Sequence, residues 1–136
     1  MTYLDTSALV RAWRLKLAPE NVTRPHAVAE FYASLTRGLT VPLAGVPTRI
    51  QFSPETAAQA ARETFAKMKF QELDGRTTLE ETGKAAQKNI HGPNIHDWLH
   101  AVAADKSGCK EIVTTNEKHF KLVTKLPLKE PSVFFA

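Results

Sequence analysis

A chain of 136 residues, 43% of them hydrophobic, has the material for one domain with a sizeable core. Its single cysteine, Cys109, excludes an internal disulfide framework and a cysteine-rich zinc site, a usage that fits a reducing cytoplasm. The formal charge of +4 suits a polyanionic partner such as RNA; no segment reaches the length of a membrane span, and no basic region leads into a long apolar run as a secretory signal would.

Tyr3 and Leu4 read as the end of a short buried strand over 2–4. Asp5 breaks that run, Thr6 and Ser7 follow, and Ala8, Leu9, Val10 and Trp13 change the period to that of a helix over about 6–16. Pro19 to Pro25 reads as a turn region leading into a helix over 26–37, with Val28, Phe31, Tyr32 and Leu35 as its apolar stripe and Gly38 as its stop. Pro42, Gly45 and Pro47 punctuate 39–52, which predicts a loop or a short hairpin-like excursion. Ser53-Pro54-Glu55 opens the next helix, Ser53 capping it and Pro54 at its first position, and the Ala-rich run carries it to Met68.

Phe70 to Leu73 reads as a charged edge strand or loop, and Asp74-Gly75-Arg76 as a turn. Thr77 or Thr78 then caps a helix running to about Lys88. Gly92-Pro93-Asn94 breaks the chain before a helix over 95–107, which Gly108 stops. Glu111 to Thr114 is a strand, Leu122, Val123 and Leu126 form a short apolar segment, and Val133-Phe134-Phe135 closes the chain as a strand. Strands alternating with helices predict a three-layer α/β/α domain over 1–136, with a central, mainly parallel sheet.

Three acids stand out by their settings. Asp5 ends a buried strand, where open α/β sheets place ligands, and Asp is also a good helix cap. Glu30 points away from the Val28/Phe31/Leu35 stripe, beside Ala27 and Ser34. Asp97 opposes the Ile95/Leu99/Val102 face, flanked by Ala101 and Ala104. Small neighbours permit close approach by another part of the chain. Each acid also has a structural explanation: Asp5 as a cap, Glu30 paired with Arg37 or Lys16, and Asp97 in a local interaction with Asn94. Crowded carboxylates repel, so a shared site needs a cation, and oxygen ligands favour Mg2+ or Mn2+.

The opening YLDTSALV, the helix HAVAEFYASL and the late segment NIHDWLHAVAADKSGCKEIVTTNEKHF together resemble the PIN domain family, in particular the VapC-type ribonuclease toxins of toxin–antitoxin pairs. The resemblance spans nearly the full chain. It implies a metal-dependent endoribonuclease in which Asp5, Glu30 and Asp97 hold Mg2+ or Mn2+, leaving 5′-phosphate and 3′-hydroxyl ends. It also implies a homodimer and a small antitoxin partner. Thr6 or Ser7 would orient a metal ligand or its water, with Thr6 preferred. The late segment departs from the family's pattern: Asn116 stands where a fourth Asp is common, and His119 replaces an acid before Phe. Asn116 is therefore a candidate for binding metal-held water or phosphate, and His119 for contacting RNA or moving a proton. These departures keep open a PIN-like RNA-binding or protein-interaction domain with reduced catalysis, and a housekeeping RNA-processing nuclease is a further alternative.

Arg11 and Arg14, near the acidic end, are candidates for RNA contact. Trp13, Phe31, Tyr32, Trp98 and Phe120 fit core or interface positions better than base stacking, and Cys109 fits packing at a helix-to-strand turn. His96 and His100 lie four residues apart, without a compelling third ligand in the sequence.

Overall fold

The computed structural model describes residues 1–12 and 21–131, and for 41–43 the backbone alone. The chain begins with β1 (Thr2–Leu4) and α1 (Thr6–Ala12), then β2 (Asn21–Thr23) and α2 (His26–Arg37). A hairpin of β3 (Leu39–Leu43) and β4 (Val46–Ile50) leads to α3 (Pro54–Phe65) and β5 (Lys69–Phe70). The second half runs α4 (Gly75–Gln87), α5 (Asn94–Lys106), β6 (Glu111–Val113), α6 (Glu117–Phe120) and β7 (Leu128–Lys129). The expected end of the first helix, with Trp13, Arg14 and Lys16, and the expected terminal strand at 133–135 lie outside the described residues.

Five strands form one sheet in the order β5-β2-β1-β6-β7, and every pairing in it is parallel. Alternation along β1 and β6 divides the core into two halves. Leu4 and Val113 face α1, α2 and α3 through Leu9, Phe31 and Phe65. Tyr3 and Ile112 face the other way, onto Ala103, Ala104 and Phe120 of α5 and α6. The result is the expected three-layer α/β/α arrangement. From β1 the chain steps to β2 and β5 with its helices on one face, whereas β6 and β7 lie on the other side of β1 with theirs on the opposite face. The carboxyl end of β1 is therefore the switch point of the sheet, where a crevice opens between diverging connections.

Several local expectations change. The supposed turn region contains β2, a central strand. Its only large apolar residue is Val22, and it is held in part by the Thr23 hydroxyl, which donates to the Leu4 carbonyl at 2.8 Å. Three residues give too short a stretch for periodicity to register. In α2 the buried stripe is Ala27, Phe31 and Leu35, and Tyr32 is 38% exposed. Asp74, rather than a threonine, caps α4, accepting from the Thr77 backbone N–H at 2.7 Å. The Ala-rich helix ends at Phe65 rather than Met68. The excursion at 39–52 is a true antiparallel hairpin, turned by Ala44 and Gly45 at φ 49° and 79°, both left-handed as a tight two-residue hairpin loop requires. Ser53 caps α3 as expected, and Cys109 is buried at the α5–β6 turn.

Candidate functional site at the carboxyl edge of the sheet

Asp5 leaves β1 at the switch point and is 3% exposed. Its Oδ1 accepts the Ala8 backbone N–H at 3.0 Å, so it does cap α1, and the same oxygen accepts the Ser7 hydroxyl at 2.7 Å. Its Oδ2 accepts the Thr114 hydroxyl at 2.6 Å. The Ser7 oxygen also accepts the Thr115 N–H at 2.9 Å, and the Thr114 oxygen accepts the Asn116 N–H at 2.9 Å. These bonds tie the turn after β1 to the turn after β6 and fix the carboxylate between them.

Glu30 arrives from α2. Its Oε1 accepts the Thr6 hydroxyl at 3.1 Å and lies 3.5 Å from Nε2 of His100 and 3.9 Å from Nε2 of His26. Asp97 arrives from α5, with Oδ2 3.8 Å from Nδ1 of His119. In α5 the buried side is Leu99, His100, Ala101, Ala103 and Ala104, whereas Ile95 and Val102 are only half-buried. The helix thus turns its small residues inward beside Asp97, and the expected Ile95/Leu99/Val102 face is not its main buried face. The side chains of Asn94 and Asp97 do not cap it.

The electrostatics separate the three acids. Burial pushes the Asp5 carboxyl up, against the charge of His100 and the hydrogen bonds of Thr114, Ser7 and Ala8. Burial also pushes Asp97 up, and the negative charge of Asp5 adds to it; His100, His119 and His96 oppose. Burial acts the same way on Glu30, but there the hydrogen bond and charge of His100, the charge of His26 and the Thr6 hydroxyl together outweigh it and bring the carboxyl down to about 2. Burial holds His26 below the ordinary imidazole range despite the attraction of Glu30, with Arg24, His96 and His100 assisting.

His100 is the residue that sequence reasoning undervalued. It is 3% exposed, and its Nδ1 lies 2.6 Å from the Tyr3 hydroxyl, while its charge acts on Asp5, Glu30 and Asp97 alike. Burial raises the Tyr3 phenol and keeps its proton in place. Nδ1 of His100 engages the Tyr3 hydroxyl, which leaves Nε2 to face Glu30 at 3.5 Å. His96 and His100, one turn apart, both reach Glu30, but His100 also meets the buried Tyr3 whereas His96 also meets the exposed His26. His96 meets His26 and Glu30, and one ligand atom from each of these three residues lies within 4.8 Å of the others. The His26 and His96 rings are nearly parallel, at 8°, with centroids 5.6 Å apart. The signal in the sequence was the spacing of His26 and Glu30, one helical turn apart on α2.

Of the remaining candidates, Asn116 is exposed at the start of α6, and its side chain does not cap that helix. Arg11 is exposed and donates to the Ser7 carbonyl at 3.0 Å. Arg14 lies outside the described residues. Close to the site, Arg24 is 9% exposed, with its Nε and Nη1 unpaired.

Among the described residues, Asp5, Glu30 and Asp97 do not bring three ligand atoms within 4.8 Å of one another. Asp97 is raised in part by the charge of Asp5, the hydroxyls of Ser7 and Thr114 donate to Asp5, and that of Thr6 donates to Glu30. The His26/Glu30/His96 cluster is separately suited to a divalent metal.

No family model matches this chain, and no curated protein matches it significantly. Solved structures do. A chain of VapBC2 from Rickettsia felis, crystallised bound to a DNA fragment from its promoter, superposes with a TM-score of 0.64 at 18% identity, covering 96% of this chain and 98% of that one. A chain of VapBC-1 from nontypeable Haemophilus influenzae superposes with a TM-score of 0.60 at 16% identity, covering 97% and 99%. At these identities the likeness establishes the fold, which is the PIN-like topology expected from the sequence. No helix among the described residues is long and apolar enough to cross a membrane.

Proposed function

We propose that this chain is a metal-dependent endoribonuclease, the toxin of a toxin–antitoxin pair, with Asp5, Glu30 and Asp97 holding Mg2+ or Mn2+. The observation that carries the reading is the buried Asp5 at the carboxyl end of β1, with Glu30 of α2 tied to the adjacent Thr6 hydroxyl at 3.1 Å, in a PIN-like fold. Bound there, the cation would supply activation of water and neutralisation of charge on the phosphoryl group. The chain's own residues do the positioning. Ser7, Thr114 and the Ala8 N–H fix the rotamer of Asp5, and Thr6 and His100 fix that of Glu30. On this reading Thr6 would orient a metal ligand through Glu30, and Ser7 through Asp5. The exposed Asn116 would likewise contact a phosphate, and His119, 3.8 Å from Asp97, would contact RNA or carry a proton. Arg11 and the excess of basic residues draw the polyanion in. The family resemblance adds a homodimer and a small antitoxin as partners.

The test is cleavage of end-labelled RNA by the purified chain with Mg2+, Mn2+ or EDTA. Asp5→Asn, Glu30→Gln and Asp97→Asn should each lower the rate by more than about a hundredfold, beyond what outer-shell partners of a metal typically cost. Products should carry 5′-phosphate and 3′-hydroxyl ends. Undiminished cleavage by all three variants, or 2′,3′-cyclic phosphate ends formed in EDTA, would overturn the assignment. Folded, metal-binding protein that cleaves no RNA would favour the reduced-catalysis reading.

A further inference from the structure

We propose that His26, Glu30 and His96 form a second metal site, beside the acidic one, that takes an imidazole-preferring transition-metal dication such as Zn2+ or Co2+ and discriminates against Mg2+. It rests on the nuclease reading only in sharing Glu30 with the acidic set. Two imidazoles and one carboxylate make a donor set that suits Zn2+ and its neighbours, whereas Mg2+ requires oxygen ligands and sheds water reluctantly.

The geometry is nearly that of a formed site. His26 and Glu30 share one face of α2, a turn apart, and His96 comes from the first turn of α5. Donors about 2.1 Å from one tetrahedral ion lie about 3.4 Å from one another. Ligand atoms already within 4.8 Å therefore need to close by up to about 1.4 Å, which rotation of the two exposed histidine side chains supplies. Among the described residues no other side chain hydrogen-bonds the ring nitrogens of His26 or His96. The two rings, from separate helices, lie side by side with centroids 5.6 Å apart, next to the same carboxylate. Glu30 is in turn braced by Thr6 and His100, the kind of outer support that ligating groups usually have.

The experiment titrates the untagged, full-length chain with Co2+, followed by calorimetry and by visible absorption. In a large excess of Mg2+, which occupies the acidic set, the expected result is one Co2+ per chain with ligand-field bands. Affinity should fall at least about tenfold in His26→Gln and in His96→Gln. Both residues are exposed, so circular dichroism and Tm should be unmoved in these variants. Asp5→Asn and Asp97→Asn should keep the bands, which separates this site from the acidic one. Failure of RNA cleavage leaves these outcomes as they are, and failure of Co2+ binding leaves Mg2+-dependent cleavage as it is. Unchanged Co2+ binding in the His26→Gln/His96→Gln double variant, displacement by Mg2+, or loss of the bands in Asp5→Asn would each overturn the proposal.

Discussion

The Tyr3 hydroxyl and Nδ1 of His100 are 2.6 Å apart, both residues buried, and the other nitrogen of the same ring looks onto Glu30 at 3.5 Å. The contact joins the first strand to α5 and, through the imidazole, to α2. It orients the only buried histidine among the described residues, at the point where its charge acts on all three acids.

Tyr3→Phe keeps the ring and deletes that bond. Leaving a buried nitrogen without its partner costs about 1–3 kcal/mol, measurable by urea unfolding. The imidazole then loses its fixed orientation toward Glu30, so RNA cleavage should fall about 10–100-fold, the range typical of groups that orient metal ligands. A variant equal to the parent in both measurements would remove this contact from the support of the site.

Asp5→Asn and Asp97→Asn should stabilise the metal-free protein at neutral pH while abolishing activity. Both carboxyls are raised in the folded chain. The folded state therefore holds its protons more firmly than the unfolded state, and stability falls as pH rises from the ordinary carboxylate range through the raised values. Above that window two crowded charges are carried at a cost that an amide avoids. The expected rise in Tm is a few degrees, the scale that ~1 kcal/mol produces in a domain of this size. Mg2+ should narrow the gap by stabilising the parent and not the variants. A lower Tm in both variants without metal would mean that the hydrogen bonds to Asp5 outweigh its desolvation.

The parts of the fold legible in the sequence are those where composition and structure share a period. α2 and α5 were placed to within a residue or so by their apolar spacing and their glycine stops, and Ser53-Pro54 marked α3 by its capping chemistry. β2 was missed because a strand of Asn, Val and Thr carries no hydrophobic signal; its environment is supplied by neighbours far away in the sequence. The acids were legible as candidates from their small neighbours and from family pattern, but their surroundings were not. Nothing local to His100 says that it meets Tyr3, 97 residues earlier, nor that His96 joins His26 of α2.

That account of β2 makes Thr23 a test of the fold independent of the site. Its hydroxyl donates to the Leu4 carbonyl, and both residues are fully buried. Thr23→Val keeps the shape and the β-branched stiffness but removes the donor. It should cost about 1 kcal/mol or more in urea unfolding, with metal binding retained. A neutral result would mean that β2 is held by its ladder and by Val22 alone.

Glu30 sets the acid limb of stability, with a sign opposite to that of the two aspartates. Its folded value, about 2, lies below the ordinary 4.5, so it contributes stability that is fully present above about pH 4.5 and is lost as pH falls toward 2. Asp5 and Asp97 act the other way at and above the ordinary aspartate value of 3.8. The parent should therefore lose stability on acidification below pH 4.5 less steeply than Glu30 alone would dictate, and Glu30→Gln should flatten the loss further. Because the hydrogen bond and charge of His100 are the main terms offsetting burial at Glu30, His100→Gln should also flatten that limb by returning the carboxyl toward its ordinary value. Urea unfolding of the three proteins in EDTA, from pH 3 to 6, reads this out directly. An acid limb identical in the parent and Glu30→Gln would show that Glu30 is not held ionised by the histidines around it.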